Sequence, residues 1–147
     1  MKRLPTKYLA GLIDGEGCID FHLSYGKYLR PRLRISLVSH CKDILEMIQN
    51  TYKGKIYFKK STNSNWQDVC NYELTGYKDV GYLLRNVKNF LHIKKEQAEL
   101  ILQLENSVRG KVVSDKAIRT IKEELKLMKK DSHRLSEKAV ERILQVL

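Results

Sequence analysis

Leu9-Ala10-Gly11-Leu12-Ile13-Asp14-Gly15-Glu16-Gly17, running straight into Cys18-Ile19-Asp20-Phe21-His22-Leu23-Ser24, is the stretch from which the rest of the chain is read. Tyr8 to Ile13 is apolar apart from its small residues and leads into an acidic, Gly-rich turn, which predicts a short helix ended by glycine. Ile19, Phe21 and Leu23 then alternate with polar or small residues, the period-two pattern of a half-buried strand. Gly11 and Gly15 stand four apart on one helical face. Each costs about 1 kcal/mol relative to Ala in a helix, so a close approach by another backbone is the expected compensation. Asp14, Glu16 and Asp20 place carboxylates at the helix end and on the strand leaving it. In a strongly basic chain such acids point to a bound cation. Hard oxygen ligands favour Mg²⁺, which takes one or two carboxylates plus substrate phosphates.

Outward from this stretch, Tyr25-Gly26-Lys27-Tyr28 suits a hairpin connection to a second strand with Leu33, Ile35 and Leu37 on one face and Arg32, Arg34 and Ser36 on the other. Asp43 to Tyr52 carries Ile44, Leu45, Met47 and Ile48 at near-helical spacing and is closed by Lys53-Gly54. Lys55 to Lys60 alternates again, a polar loop follows at Ser61-Thr62-Asn63-Ser64-Asn65, and a fourth strand is predicted over Trp66 to Leu74. From Asp79 onward the pattern is helical. The order α-β-β-α-β-β followed by helices is an α+β pattern with an antiparallel sheet of two hairpins, one face buried and one wet. Arg30, Arg32, Arg34, Lys59 and Lys60 fall on those hairpins, and a twisted sheet with a cationic open face fits a major groove, which admits a two-stranded ribbon.

Composition agrees. With 28 Lys and Arg against 17 Asp and Glu in 147 residues, the formal charge is +11, which implies a polyanionic partner, most simply nucleic acid. That length favours one domain. No apolar run approaches the ~20 residues of a membrane span, and the segment after Met1-Lys2-Arg3 has no small-residue cleavage site, so neither secretion nor membrane insertion is expected. Cys18, Cys41 and Cys70 never form a C-x-x-C spacing and read as free thiols in a reducing, intracellular compartment. His22, His40, His92 and His133 form no H-E-x-x-H, and no P-loop motif is present, which removes zinc-hydrolase and P-loop readings.

Residues 9–17 resemble the LAGLIDADG motif of the homing endonucleases. The first six letters match; Gly15 stands for the Ala, Glu16 for the catalytic Asp, and Gly17 keeps the final Gly. The α-β-β-α-β-β-α core of that family, with its saddle-like antiparallel DNA-binding sheet, corresponds to about residues 4–106, leaving a helical C-terminal extension over about 107–147 in a single domain, 1–147. The resemblance implies a site-specific double-strand DNA endonuclease of the intron-homing type, in a chloroplast, a mitochondrion or archaeal cytoplasm. It further implies Mg²⁺ as the working ion, with Mn²⁺ substituting and Ca²⁺ supporting binding without cleavage. Glu16 would be the metal acid and the Gly15 carbonyl a nearby ligand. With one motif per chain, the resemblance implies a homodimer joined through Leu9, Ala10, Gly11, Leu12, Asp14 and Gly15, cutting a long near-palindromic site. Phe90-Leu91-His92-Ile93-Lys94-Lys95 resembles the segment that supplies a basic residue near the metal, which carries that catalytic role to Lys94, with Lys95 the adjacent alternative. Where the family often has a water-binding Gln, this chain has Cys41, next to His40. A non-cleaving intron maturase or DNA-binding regulator on the same scaffold is the alternative function.

Sequence readout would fall to the face opposite the apolar positions: Asp20, His22, Ser24, Arg30, Arg32, Arg34, Ser36, Tyr57, Lys59, Gln67 and Asn71. Arg can read guanine and Asn or Gln adenine, while Asp20 either accepts from cytosine or pairs with a strand Arg. The lysines of the C-terminal helices alternate with acids and read as solvated faces, with backbone contacts expected near Lys129-Lys130.

Overall fold

The computed structural model describes residues 2–131 and 137–147. The helix that opens the fold, α1 (Thr6–Glu16), passes directly into β1 (Gly17–Ser24), with no loop between them. The junction requires glycine: a Cβ on Gly17 would lie 2.6 Å from the Ile13 carbonyl oxygen. The helix ends at glycine as predicted, with Gly17 as its C-cap, and Asp14, Gly15 and Glu16 form the last turn of α1.

β1 pairs with β2 (Tyr28–Val38) through the three-residue connection Tyr25-Gly26-Lys27, in which Tyr25 and Gly26 both have positive φ, 54° and 70°. Paired positive φ angles give the twist that matches a right-handed hairpin. After a short turn at Ser39–Cys41 come α2 (Lys42–Tyr52), β3 (Lys55–Lys59) and β4 (Val69–Thr75). α3 (Tyr77–Val87), α4 (Lys95–Val108), α5 (Asp115–Asp131) and α6 (Glu137–Val146) complete the chain. The sheet is antiparallel in the order β1-β2-β4-β3, so the two hairpins meet at β2 and β4. This is the expected α+β core with C-terminal helices.

Ile19, Phe21, Leu29, Leu33, Ile35, Cys70, Tyr72 and Leu74 point from the sheet into a core closed by Leu9, Ala10 and Ile13 of α1, Leu45 and Ile48 of α2, and Val80, Leu83, Leu84 and Val87 of α3. Two buried phenols tie the sheet to its neighbours: Tyr72 of β4 donates to the Lys53 carbonyl in the loop after α2 at 2.8 Å, and Tyr77 of α3 to the Leu29 carbonyl of β2 at 3.0 Å. Burial pushes both hydroxyls well above the usual tyrosine range, which keeps them donors. Gly54, at φ +93°, turns the chain tightly under the Tyr72 ring; an added Cβ would meet that ring at 2.6 Å.

β4 starts at Val69, not Trp66. Local polar bonds compete with the ladder: Asp68 accepts from the Ser61 amide at 2.8 Å, Asn63 from the Asn65 amide at 3.0 Å, and the Trp66 amide bonds the Asn63 carbonyl at 3.0 Å. Gln67 is therefore off the sheet, and Trp66 is exposed. At the opposite edge α5 packs against β1 and, through Arg142 to Glu123 and Glu124, against α6. Lys129, Lys130 and Arg134 lie outside the residues whose side chains are described. Among the described residues, no helix is long and apolar enough to cross a membrane.

Candidate functional site

The period of α1 divides its residues into two stripes. Leu9, Ala10 and Ile13 turn inward and are at most 1% exposed. Tyr8, Gly11, Leu12 and Gly15, spaced i, i+3, i+4, i+7, form the outer stripe: Tyr8, Gly11 and Gly15 are exposed and Leu12 is half-buried. A Cβ at Gly11 or Gly15 would meet nothing within 4 Å. Leu9 and Ala10, expected at a dimer interface, are committed to the protomer's own core. The outer stripe has room for a partner helix.

Asp14 is half-buried and turned toward the segment before α4. Its carboxylate accepts the backbone N–H groups of His92 at 2.8 Å, Ile93 at 3.1 Å and Lys94 at 3.0 Å. An anion is favoured there by amides that have no partner within the helix turn and by the positive end of the α4 dipole, and Asp14 supplies it. In return, Lys94 Nζ donates to the Asp14 carbonyl at 2.6 Å, so its ammonium sits at the C-terminal end of α1. This side chain, and not its neighbour Lys95, reaches the motif helix. Asp14 was expected at the dimer interface; its carboxylate is instead a strap within one protomer.

Glu16, the last residue of α1, is exposed and enters a groove of about 310 Å³ at the head of the open sheet face, lined also by Cys18, Arg34, Ser36, Tyr57, Asn71, Tyr72 and Glu73. The alternation of buried and half-buried residues along the strands places Asp20, His22, Ser24, Arg30, Arg32, Arg34, Ser36, Tyr57, Lys59 and Asn71 on this open face. Gln67 alone of the expected readers is not on a strand. Cys41, half-buried, and His40, exposed, occupy the turn after β2, outside the residues lining the Glu16 groove.

The open face is less cationic than its arginines suggest. Asp20 accepts Arg32 through Nε at 3.0 Å and Nη2 at 2.9 Å, and Arg34 through Nη2 at 3.1 Å. Ser36 donates to Asn71 Oδ1 at 2.5 Å, which leaves the Asn71 amide nitrogen as a donor. His22 is held below the usual histidine pKa, first by burial and then by Arg32 and Arg30, so a neutral imidazole stands on the open face at neutral pH. Sequence reading missed Glu73 and Lys55, which register across β4 and β3 from Arg34. Non-sequential pairing of β2 with β4 leaves no trace in local periodicity.

The sequence model of the family described as LAGLIDADG endonuclease matches residues 9–98, more than half of the 147. The chain belongs to the LAGLIDADG endonuclease family. It is a homing endonuclease of the type that hydrolyses double-stranded DNA. Its fold resembles that of the homing endonuclease I-CvuI, solved in complex with its target in the presence of Ca, with TM-score 0.66 and 20% identity over 97% of this chain and 95% of that one. The LAGLIDADG meganuclease I-AabMI, bound to uncleaved DNA, matches with TM-score 0.62 and 22% identity over 98% of this chain and 50% of that one. I-GzeII, a LAGLIDADG homing endonuclease in complex with a DNA target, matches with TM-score 0.58 and 23% identity, again over 98% and 50%. A search of curated protein sequences found no match.

Proposed function

We propose that this LAGLIDADG endonuclease works as a homodimer, is dependent on a divalent metal, and cleaves a long near-palindromic duplex site. One observation carries the reading: the exposed carboxylate of Glu16 stands where the unpartnered Gly11/Gly15 stripe of α1 meets the open face of the sheet. Packing two such stripes about a two-fold axis brings two Glu16 side chains together and sets two sheets end to end, and protein symmetry then mirrors site symmetry. The length relation supports this, because one copy spans nearly all of I-CvuI but half of I-AabMI. β1 has 8 residues, about 26 Å at ~3.3 Å each, which covers roughly seven or eight base-pair steps per protomer.

Among the described residues, no three His, Cys, Asp or Glu side chains of one protomer cluster as a metal site. One carboxylate per protomer and a helix-end carbonyl at Gly15 are hard oxygen donors, and they fit an ion that takes one or two carboxylates and completes its shell with phosphate and water. Glu16 and the Gly15 carbonyl would hold Mg²⁺, with Mn²⁺ able to replace it and Ca²⁺ supporting binding alone. Mg²⁺ bound there would supply an activated water and neutralise charge at the phosphate. Lys94 Nζ, fixed on the Asp14 carbonyl, keeps a positive donor at this end of α1 for the oxygen on which charge develops.

The test is cleavage of a randomised duplex library, and of DNA flanking the native gene, by the wild type and Glu16→Gln in Mg²⁺ and in Ca²⁺. Cutting by the wild type in Mg²⁺ alone, lost in the variant while binding persists, is the expected result. Selective binding by both proteins with no cutting in any metal would move the assignment to a maturase or regulator.

A further inference from the structure

We infer that Arg34 and Glu73 jointly read one G·C pair in each half-site, guanine against Arg34 and cytosine against Glu73, with Asp20 positioning Arg34. This rests on the reading above, in which the open face lies in the major groove. The register lays Cys18, Arg34, Glu73 and Lys55 in one row across all four strands, one step from the junction that carries Glu16. Directly opposite residues of neighbouring strands have Cβ atoms about 4.5–5.5 Å apart, so a cation and an anion stand side by side. The major-groove edge of a G·C pair offers the same contrast: acceptors N7 and O6 on guanine beside an amino donor on cytosine.

The two arginines near this row are not equivalent. Arg32 spends Nε and Nη2 on Asp20 and serves as a strut between β1 and β2. Arg34 gives Asp20 only Nη2, which also approaches Cys18 Sγ at 3.7 Å. Nη1 keeps its hydrogens for a base. Asp20 thus fixes the guanidinium plane without consuming it. Arg34 lines the Glu16 groove together with Glu73, while its Nε is buried without a partner. A phosphate partner does not suit this spot, because a third anion would enter between the carboxylates of Asp20 and Glu73. Lys55, exposed on the edge strand at the end of the row, is placed for the backbone instead.

Orientation follows from the charges. A C·G pair would set an amino group against the guanidinium and acceptors against the carboxylate. A·T would turn the thymine O4 and methyl toward Glu73. T·A satisfies each side chain once, against two acceptors for Arg34 at guanine, and is therefore second choice.

The experiment is selection from a randomised duplex library, by binding in Ca²⁺ and in parallel in EDTA, with sequencing of what the wild type, Arg34→Ala, Glu73→Ala, Glu73→Gln and Asp20→Asn retain. The wild type should select G·C at one symmetric pair of positions. Arg34→Ala and Glu73→Ala should each flatten that preference by about 10- to 100-fold while leaving the other positions intact. Asp20→Asn should blur the same position, and Glu73→Gln, which keeps an acceptor oxygen, should retain part of the preference. Uniform loss of affinity with an unchanged base profile, or a changed profile at no position, overturns the inference. Absence of any selected sequence with the wild type would instead overturn the endonuclease reading beneath it. Thermal melts of each variant separate these outcomes from unfolding.

Discussion

Replacing Asp14 by Ala should damage the enzyme in two measurable ways. The carboxylate holds three backbone N–H groups, from His92, Ile93 and Lys94, at 2.8, 3.1 and 3.0 Å. Hydrogen bonds to a charged group contribute about 1.5–3 kcal/mol each, but three on one half-buried carboxylate do not add. Loss of a helix-capping side chain by itself costs up to about 2 kcal/mol. The expected destabilisation lies between these limits, about 2–4 kcal/mol, or a fall in Tm of roughly 6–15 °C for a chain of this size. Asp14→Asn should fall about halfway: one amide oxygen can still serve Ile93 and Lys94, while the amide nitrogen is turned on the His92 N–H and the charge is gone. The second effect is on chemistry. With the 92–94 turn released, Lys94 Nζ loses its fixed place on the Asp14 carbonyl, and a shift of about 1 Å at a reacting centre can cost on the order of 100-fold in rate. Single-turnover cleavage in Mg²⁺ should therefore drop by one to two orders of magnitude, while affinity for target DNA in Ca²⁺ stays within a few-fold, because Asp14 does not line the reading face. An unchanged melting temperature would refute the strap. Binding and cleavage falling in parallel would refute its role in placing Lys94.

Three further expectations follow from particular contacts. Gly15→Ala should raise helix propensity by about 1 kcal/mol within a protomer, since an added Cβ meets nothing there, yet weaken self-association, as read by light scattering across a dilution series. Gly54→Ala should destabilise by about 2 kcal/mol or more in urea unfolding, combining a positive φ with a clash on the Tyr72 ring. His22, whose folded pKa lies below its unfolded value of 6.5, lets the unfolded chain take up its proton first as pH falls. Its contribution is favourable above pH 6.5 and is lost below it, so stability measured at pH 5.5 and 7.5 should show a slope that His22→Gln reduces.

Much of this architecture is legible in the sequence, because α1, β1, β2 and α2 each carry an unambiguous hydrophobic period. The start of β4 is not: Trp66, Gln67 and Asp68 look like a continuing strand until the Asn63 and Asp68 side chains are seen holding the loop closed. The site divides along the same line. Glu16 and Lys94 stand out from the motif and its companion segment, since both lie in short contiguous stretches. The pairing of Asp20 with Arg32 needs the β1–β2 register, and the place of Glu73 beside Arg34 needs the β2–β4 register between strands 31 or more residues apart. Leu9 and Ala10 were assigned to the wrong surface for a different reason. A nine-letter motif names residues without saying which of its helical stripes faces its own core.

That stripe assignment leaves few substitutions that would suit α1. Leu9, Ala10 and Ile13 fill one side against the sheet, where larger side chains would overpack and smaller ones leave a cavity. Tyr8, Gly11, Leu12 and Gly15 fill the other, and two glycines in an 11-residue helix are a standing cost with no contact in the protomer to offset it. Asp14 leaves in a third direction to hold α4, and Gly17 cannot carry a Cβ without striking the Ile13 carbonyl. Only the side chain of Glu16 is left without a structural duty in this turn. A carboxylate at the negative end of a helix dipole is disfavoured on local grounds, so its placement there is explained by a positive group brought to it from outside the helix.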